Sequence, residues 1–136
     1  MAKTFLLEIV TPEQVLLSKQ VESAVVPAAE GYLGILAGHA PLLCLLKAGE
    51  ITIRDERGTT FYFTSGGFLE ATPTKVNLLT ESAEAIDKID VGRAEEAVER
   101  ARKRLETGDP GVDKPRARAA LSRAENRIKV AKKHGR

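Results

Sequence analysis

The stretch Glu30-Gly31-Tyr32-Leu33-Gly34-Ile35-Leu36-Ala37-Gly38-His39-Ala40-Pro41-Leu42-Leu43 sets three glycines and a proline into an otherwise apolar run. Such a cluster invites a phosphate-cradling reading, and the residues exclude it. A P-loop needs Lys-Ser/Thr after its last glycine and a helix behind it, and a dinucleotide fingerprint needs GxGxxG between a strand and a helix. Neither is present here. Ser65-Gly66-Gly67 fails likewise, because a strand pattern follows it. The glycines are read as bends or bulges that turn strands across a small sandwich. His39 has neither a Ser or Cys nucleophile near it nor an orienting acid, so its role is read as structural.

On both sides of this stretch, short runs of branched and aromatic residues are divided by turn chemistry. They are Thr4–Val10, Gln14–Ser18, Gln20–Val26 (stopped by Pro27), Leu42–Leu46, Glu50–Arg54, Thr59–Thr64, Phe68–Ala71 and Lys75–Thr80. Strands this short and this closely spaced predict an all-β sandwich or flattened barrel of antiparallel strands. Phe5, Leu7 and Ile9 alternate with Leu6, Glu8 and Val10, which places one set inward, and Ile51 and Ile53 alternate with Thr52 and Arg54 in the same manner. Thr11-Pro12-Glu13 is a turn by composition, and hairpins are expected at Asp55–Gly58 and Thr72-Pro73-Thr74, where Gly and Pro supply the geometry.

Pro27 with GYLGILAGHAPLL, then Leu46-Lys47-Ala48-Gly49 and Ile51, and later Ser65-Gly66-Gly67-Phe68, resemble the N-terminal β-sandwich of the ε subunit of bacterial F-type ATP synthases. The resemblance covers essentially the whole chain. It implies a non-catalytic subunit whose β domain binds the γ subunit and the ring of c subunits. It also implies a place on the cytoplasmic face of the bacterial cell membrane, peripheral and without insertion.

The 136 residues bound the rest, since they suffice for one modest domain or a small one with an appendage. No uninterrupted apolar run is long enough to span a bilayer, the longest candidate, Leu33 to Leu46, being broken by Gly38, His39 and Pro41. With no signal-peptide pattern at its start, the chain is expected to be soluble and to stay where it is made. The single Cys44, within PLLCLL, reads as a small buried hydrophobe, and one Cys with His39 and His134 makes no usual zinc site.

The net charge of +2 conceals two different halves. Residues 1–86 carry six Lys/Arg against ten Asp/Glu and all six aromatics, whereas residues 87–136 carry fifteen against nine and are rich in Ala, Arg, Lys and Glu. The domains are accordingly placed at 1–86, a β-sandwich for rotor binding, and 87–136, a regulatory antiparallel two-helix hairpin.

In that second half Ala94, Ala97, Val98, Ala101 and Leu105 recur at spacings of three and four, as do Ala117, Ala120, Leu121, Ala124, Ile128 and Ala131. Thr107-Gly108-Asp109-Pro110-Gly111-Val112 breaks the two helices, and Asp113 caps the second with Pro115 in its first turn. The mostly alanine seam buries little per residue, so the hairpin is expected to be marginal by itself and able to open.

At about 100° per residue, Arg93, Arg100 and Arg104 lie to one side of the first seam, and Arg116, Arg123 and Arg127 to the same rotational side of the second. In an antiparallel pair these flanks meet along one edge. A turn centred near residue 110 sets Arg93 beside Arg127, Arg104 beside Arg116, and Arg123 between Arg93 and Arg100. Glu95, Glu99, Glu106 and Glu125 project elsewhere, and Glu96 is placed to pair with Arg100. An edge of like charge stabilises a closed hairpin only with an anion present.

Three ligands fit this edge. The family resemblance implies ATP, because Ile89-Asp90-Val91-Gly92-Arg93-Ala94 matches the I/L-D-x-x-R-A motif and Arg123-Ala-Glu-Asn-Arg127 the paired arginines with which some members bind it. Carried over residue by residue, the site is Glu84, Ile89, Asp90, Arg93, Ala94, Arg100, Arg123 and Arg127. Asp90 then accepts from the adenine amine, Ile89 packs on the ring, and Arg93, Arg123 and Arg127 hold the phosphates. ATP is a regulatory ligand here and no cofactor is required; the part of Mg²⁺ stays open. No Walker lysine, base-and-water arrangement or carboxylate cluster for Mg²⁺ is evident, so hydrolysis by this chain is not expected. The resemblance equally implies that the extended hairpin meets acidic segments of the catalytic subunits and blocks ATP hydrolysis. Nucleic acid is disfavoured, because the charge is interleaved with acid and this half has no aromatic for stacking. A free-standing ATP-binding sensor or a basic nucleic-acid-binding module is the rival class, and a solvated charge stripe is the plain alternative for the arginines.

Overall fold

The computed structural model describes residues 3–108 and 110–135. Two units divide the chain, Met1–Ala85 and Ile86–Arg136. The first holds ten strands: β1 (Phe5–Val10), β2 (Val15–Val21), β3 (Ser23–Ala28), β4 (Gly31–Leu36), β5 (Leu42–Leu46), β6 (Gly49–Asp55), β7 (Gly58–Thr64), β8 (Gly67–Thr72), β9 (Lys75–Thr80) and β10 (Ala83–Ala85). They follow the order β10-β7-β6-β3-β5-β8-β9-β1-β2, with β4 hydrogen-bonded to β3 off that path. All neighbours are antiparallel except β1 and β9, which run parallel. A Lys19 to Asp55 ion pair links β2 to β6, so the sheet nearly closes on itself as the sandwich or barrel that alternation predicts.

That alternation is visible in the burial. Phe5, Leu7 and Ile9 of β1, Ile51 and Ile53 of β6, and Val76 and Leu78 of β9 are fully covered in one core with Val21, Val26 and Leu69. Each such side chain contributes about 1.5–3 kcal/mol before ordering costs. Turn chemistry closes the hairpins where expected: Asp55 pairs with Gly58, and the Asp55 carboxylate accepts the Arg57 N–H at 2.8 Å. Thr72 pairs with Lys75 around Pro73, and Thr11 N–H donates to the Gln14 carbonyl at 2.9 Å.

Two expectations are corrected. Pro27 does not stop a strand; it lies inside β3, across from Tyr32. Its other flank is where β3 passes from β6, whose pairing ends at Val25, to β5, whose pairing begins at Ala28. The Pro27 carbonyl points to that flank and accepts from Lys47 N–H at 2.9 Å. The missing N–H faces the same gap, so no ladder bond is lost. Likewise, Gly31–Leu36 is a regular strand and not a series of bends. Gly31 and Gly38, with φ of 136° and 80°, mark the turns at its two ends, while Gly34 pairs across from Val25.

His39 lies just beyond β4, where its backbone N–H and its ring Nδ1–H both donate to the Leu36 carbonyl, at 3.3 and 2.7 Å. The ring stands edge-on to Phe5 with centroids 5.4 Å apart, and Nε2 is buried without a hydrogen-bond partner among the described residues. These contacts are structural. Cys44 is half-buried at the core margin, where burial pushes its thiol pKa up and leaves it a poor nucleophile.

The second unit opens with a single 3-10 turn, Ile86–Lys88, and continues as α1 (Val91–Glu106) and α2 (Lys114–Lys133). Asp90 and Asp113 are the N-caps, accepting the Arg93 and Arg116 N–H groups at 3.0 and 3.1 Å, and Pro115 stands in the first turn of α2. Thr107 caps α1 at its end and Gly108 turns left-handed at φ 65°; of the expected turn, Asp109 lies outside the described residues. The helices pack antiparallel over buried Ala94, Val98 and Ala101 of α1 and Ala117, Ala124 and Ala131 of α2, and Val130 is buried on another flank of α2.

Candidate functional site

The helix pair has two chemically opposite edges. Along one runs a groove lined by Glu95, Val98, Glu99 and Arg102 of α1 and by Glu125, Ile128, Lys129 and Lys132 of α2. Across it the Glu95 carboxylate stands 3.8 Å from the Lys132 ammonium. These groups fix which flanks meet. Positions about 40 to 140° to one side of each alanine seam form this edge, so the flanks of the opposite sense form the other. The other edge carries Arg93, Arg100 and Arg104 of α1 with Arg116, Arg123 and Arg127 of α2. Of the helix carboxylates, Glu95, Glu99, Glu106 and Glu125 lie on the mixed flank and Glu96 faces away from the seam.

The register along the edges differs from the expected one. A turn centred near residue 110 sets Glu95 level with Glu125, whereas the ion pair and the groove set Glu95 level with Lys132 and Arg102 with Glu125. α2 is therefore displaced by one heptad, and its first two turns run alongside the connection and not alongside α1. On the arginine edge, Arg127 is level with Arg100 and Arg123 with Arg104. Arg93 lies about 10 Å further along, near the end of α2. The expected neighbours Arg93 with Arg127, Arg104 with Arg116, and Arg123 between Arg93 and Arg100 are thus replaced.

The remaining motif residues are placed as follows. Asp90 is exposed and one of its oxygens caps α1, which leaves the second as an available acceptor. Ile89 is buried, so a base can pack on it only by displacing part of its cover. Ala94 is fully buried on the seam, where its small side chain permits close packing and not ligand contact. Arg93, Arg100 and Arg123 are exposed and Arg127 is half-buried. Glu84 belongs to the first unit, in β10 across from Phe63. The helical unit thus places Arg93, Arg100, Arg123 and Arg127 on one flank, with Asp90 at the start of α1.

A second surface, on the β unit, escapes motif reading. Leu45 pairs with Phe68, Phe68 with Leu79, Leu79 with Val10, and Val10 with Val15, so five apolar side chains form one row across five strands on the outer face. Leu45, Phe68, Leu79 and Val15 are 44 to 56% exposed. In the neighbouring row Glu70, Asn77 and Glu8 are polar, and Leu43, paired with Glu70, is apolar and exposed. A contiguous exposed apolar row, extended at its β5 end by Leu43 and bordered elsewhere by polar groups, is the mark of an interaction site. Alternation already places Val10 on the outer set, but only the strand order shows which residues stand beside it.

Among the described residues, no group of three or more His, Cys, Asp or Glu could hold a metal ion, and no helix is long and apolar enough to cross a membrane.

Residues 4–86 match the family model described as the ATP synthase Delta/Epsilon chain beta-sandwich domain, and residues 87–132 match the corresponding long alpha-helix domain. The ATP synthase epsilon chain of Moorella thermoacetica is 48% identical over 126 residues, which is 92% of this chain and 94% of the relative. That of Desulforamulus reducens is 46% identical over 133 residues, covering 96% and 99%. Among solved structures, a chain of the Euglena gracilis mitochondrial ATP synthase, determined as OSCP, F1 and c-ring, superposes with a TM-score of 0.80 at 26% identity, over 94% of this chain and 81% of that one. A chain from the central stalk and c-ring of the Tetrahymena thermophila mitochondrial enzyme shares the fold, at a TM-score of 0.63 and 15% identity over 99% and 98%.

Proposed function

This chain belongs to the ATP synthase delta/epsilon family as an epsilon chain, a non-catalytic subunit, and from that premise we propose that its β unit fastens the γ subunit to the c-ring through the outer apolar row. The single observation that carries this is the row of paired residues Leu45, Phe68, Leu79, Val10, Val15, which isolated surface leucines would not form. Docking there brings the subunit to the cytoplasmic face of the membrane without insertion. The test is co-purification with γ of the wild-type chain and of a Phe68→Asp, Leu79→Asp variant. Both side chains are about half exposed, so the variant is expected to fold with its stability little changed while losing the complex. Retention of γ by the variant would sink the assignment of the row.

A second reading concerns the helices, and the arginine edge favours it. The pair closes when ATP lies along that edge and, when extended, inhibits ATP hydrolysis by contacting the catalytic α and β subunits. Asp90 accepts from the adenine amine and Arg93, Arg100, Arg123 and Arg127 take the phosphates. The ligand is sensed and not turned over. Calorimetric titration with ATP, beside an Arg93→Ala, Arg127→Ala variant, tests it. Saturable one-to-one binding lost in the variant supports the latch; no binding up to millimolar ATP retires it and makes the edge a contact surface for the catalytic subunits.

A further inference from the structure

We propose that the mixed-charge edge of the helix pair is a register lock, which selects the observed pairing of α1 and α2 over the pairing slipped by one heptad. Buried alanines at positions 94 and 101 of α1 and at 117, 124 and 131 of α2 repeat every seven residues, so a slip of one heptad again sets alanine against alanine along the seam. The arginine edge does not discriminate either. It sets Arg100 and Arg104 beside Arg127 and Arg123 in the observed register, and Arg93 and Arg104 beside Arg127 and Arg116 in the slipped one.

The opposite edge is different. In the observed register Glu95 forms an ion pair with Lys132, and the same groove is lined by Glu99 and Lys129, and by Arg102 and Glu125, which the helical rise sets level with one another and which are of opposite sign. A slip of one heptad sets Glu95 against Glu125 and Arg102 against Arg118, both of like sign. The Glu95 and Lys132 side chains are 57 and 60% exposed, so one such pair is weak alone. The selectivity comes from three level pairs of opposite sign exchanged for two of like sign and one of opposite sign, Glu106 with Lys114 at the end of the pair. The sign reversal between the Glu99 and Arg102 levels is the necessary feature, because helices of one sign each would attract equally in both registers. This device does not rest on nucleotide binding, although it decides which arginines an anion would find side by side.

Disulfide trapping in the full chain with Cys44→Ala reads the register directly. Cysteines at positions 94 and 131 report the observed pairing and cysteines at 94 and 124 the slipped one. The two differ by about 10 Å along the axis, more than a disulfide tolerates. The unaltered edge is expected to give the first disulfide alone. Glu95→Lys with Arg102→Glu turns both discriminating contacts around, and the ratio of slipped to observed disulfide is expected to rise roughly tenfold. Adding Lys132→Glu and Glu125→Lys restores the observed disulfide, and circular dichroism follows helix content throughout. An unchanged pattern in the double variant, or loss of both disulfides with no recovery in the fourfold variant, overturns the proposal.

Discussion

A Cβ built on Gly67 falls 2.0 Å from the carbonyl oxygen of Leu79, closer than any real contact. Gly67 opens β8 at φ 151° and pairs with Leu46 on one side and Thr80 on the other, so the close approach lies inside a three-strand ladder that cannot move aside singly. Gly67→Ala is expected to cost about 3 kcal/mol or more, from backbone strain and lost pairing together. Gly34→Ala, at a position with open space around it and no positive φ, is expected to be neutral or stabilising by up to about 1 kcal/mol. Urea denaturation midpoints of the two variants separate these outcomes.

Asp55 gives the β unit a pH dependence of definite sign. The hydrogen bond from Lys19, and secondarily that from the Arg57 N–H, hold its carboxyl below the usual 3.8. A carboxyl whose folded pKa is lowered adds stability that is complete above the unfolded value and is lost as pH falls through the folded one. The wild-type chain is therefore expected to exceed Asp55→Asn in stability near neutral pH, and the gap to close progressively below about pH 4. Denaturation of both proteins across that range checks it, and a gap that persists in acid would refute the role of the charge.

Much of this architecture is legible in the residues. Phe5, Leu7 and Ile9 announce an inward strand face because burial on a sheet has period two, and Asp90, Asp113 and Pro115 announce helix starts because orphan N–H groups need acceptors. Pro27 and Gly31–Leu36 are misread for one common reason. Local chemistry reports the preference of a residue, whereas its tolerance depends on which flank of the strand has a partner, and only topology supplies that. The apolar row is hidden likewise, since Val10, Leu45 and Leu79 become neighbours through pairings far apart in sequence. The sidedness of the arginine edge follows from helical angles, but its register turns on carboxylates and lysines of the other edge.

The displaced register also predicts where the hairpin frays. The first turns of α2 run beside the connection, with Ala117 buried, and the Asp113 cap holds the Arg116 N–H. Asp113→Ala is expected to cost about 1 kcal/mol locally and Asp113→Ser much less, because a hydroxyl still accepts there. Amide hydrogen exchange is expected to show lost protection at Arg116 and its neighbours in Asp113→Ala, with α1 unaffected. Loss of protection along all of α1 would show instead that the two helices open as one unit.

Arg100 and Arg127 are level on the arginine edge, while Arg93 lies about 10 Å from Arg127 along it. If both of the level guanidiniums hold the same phosphate, removing one weakens the contribution of the other. Arg100→Ala and Arg127→Ala are then expected to couple by more than about 0.5 kcal/mol in ATP binding, whereas Arg93→Ala and Arg127→Ala, acting on different phosphates, add to within about that amount. Calorimetric titration of the wild type, the three single variants and the two doubles completes both cycles. Coupling of Arg93 to Arg127 with none of Arg100 would instead support the pairing centred on residue 110, because in that register Arg93 and not Arg100 stands beside Arg127.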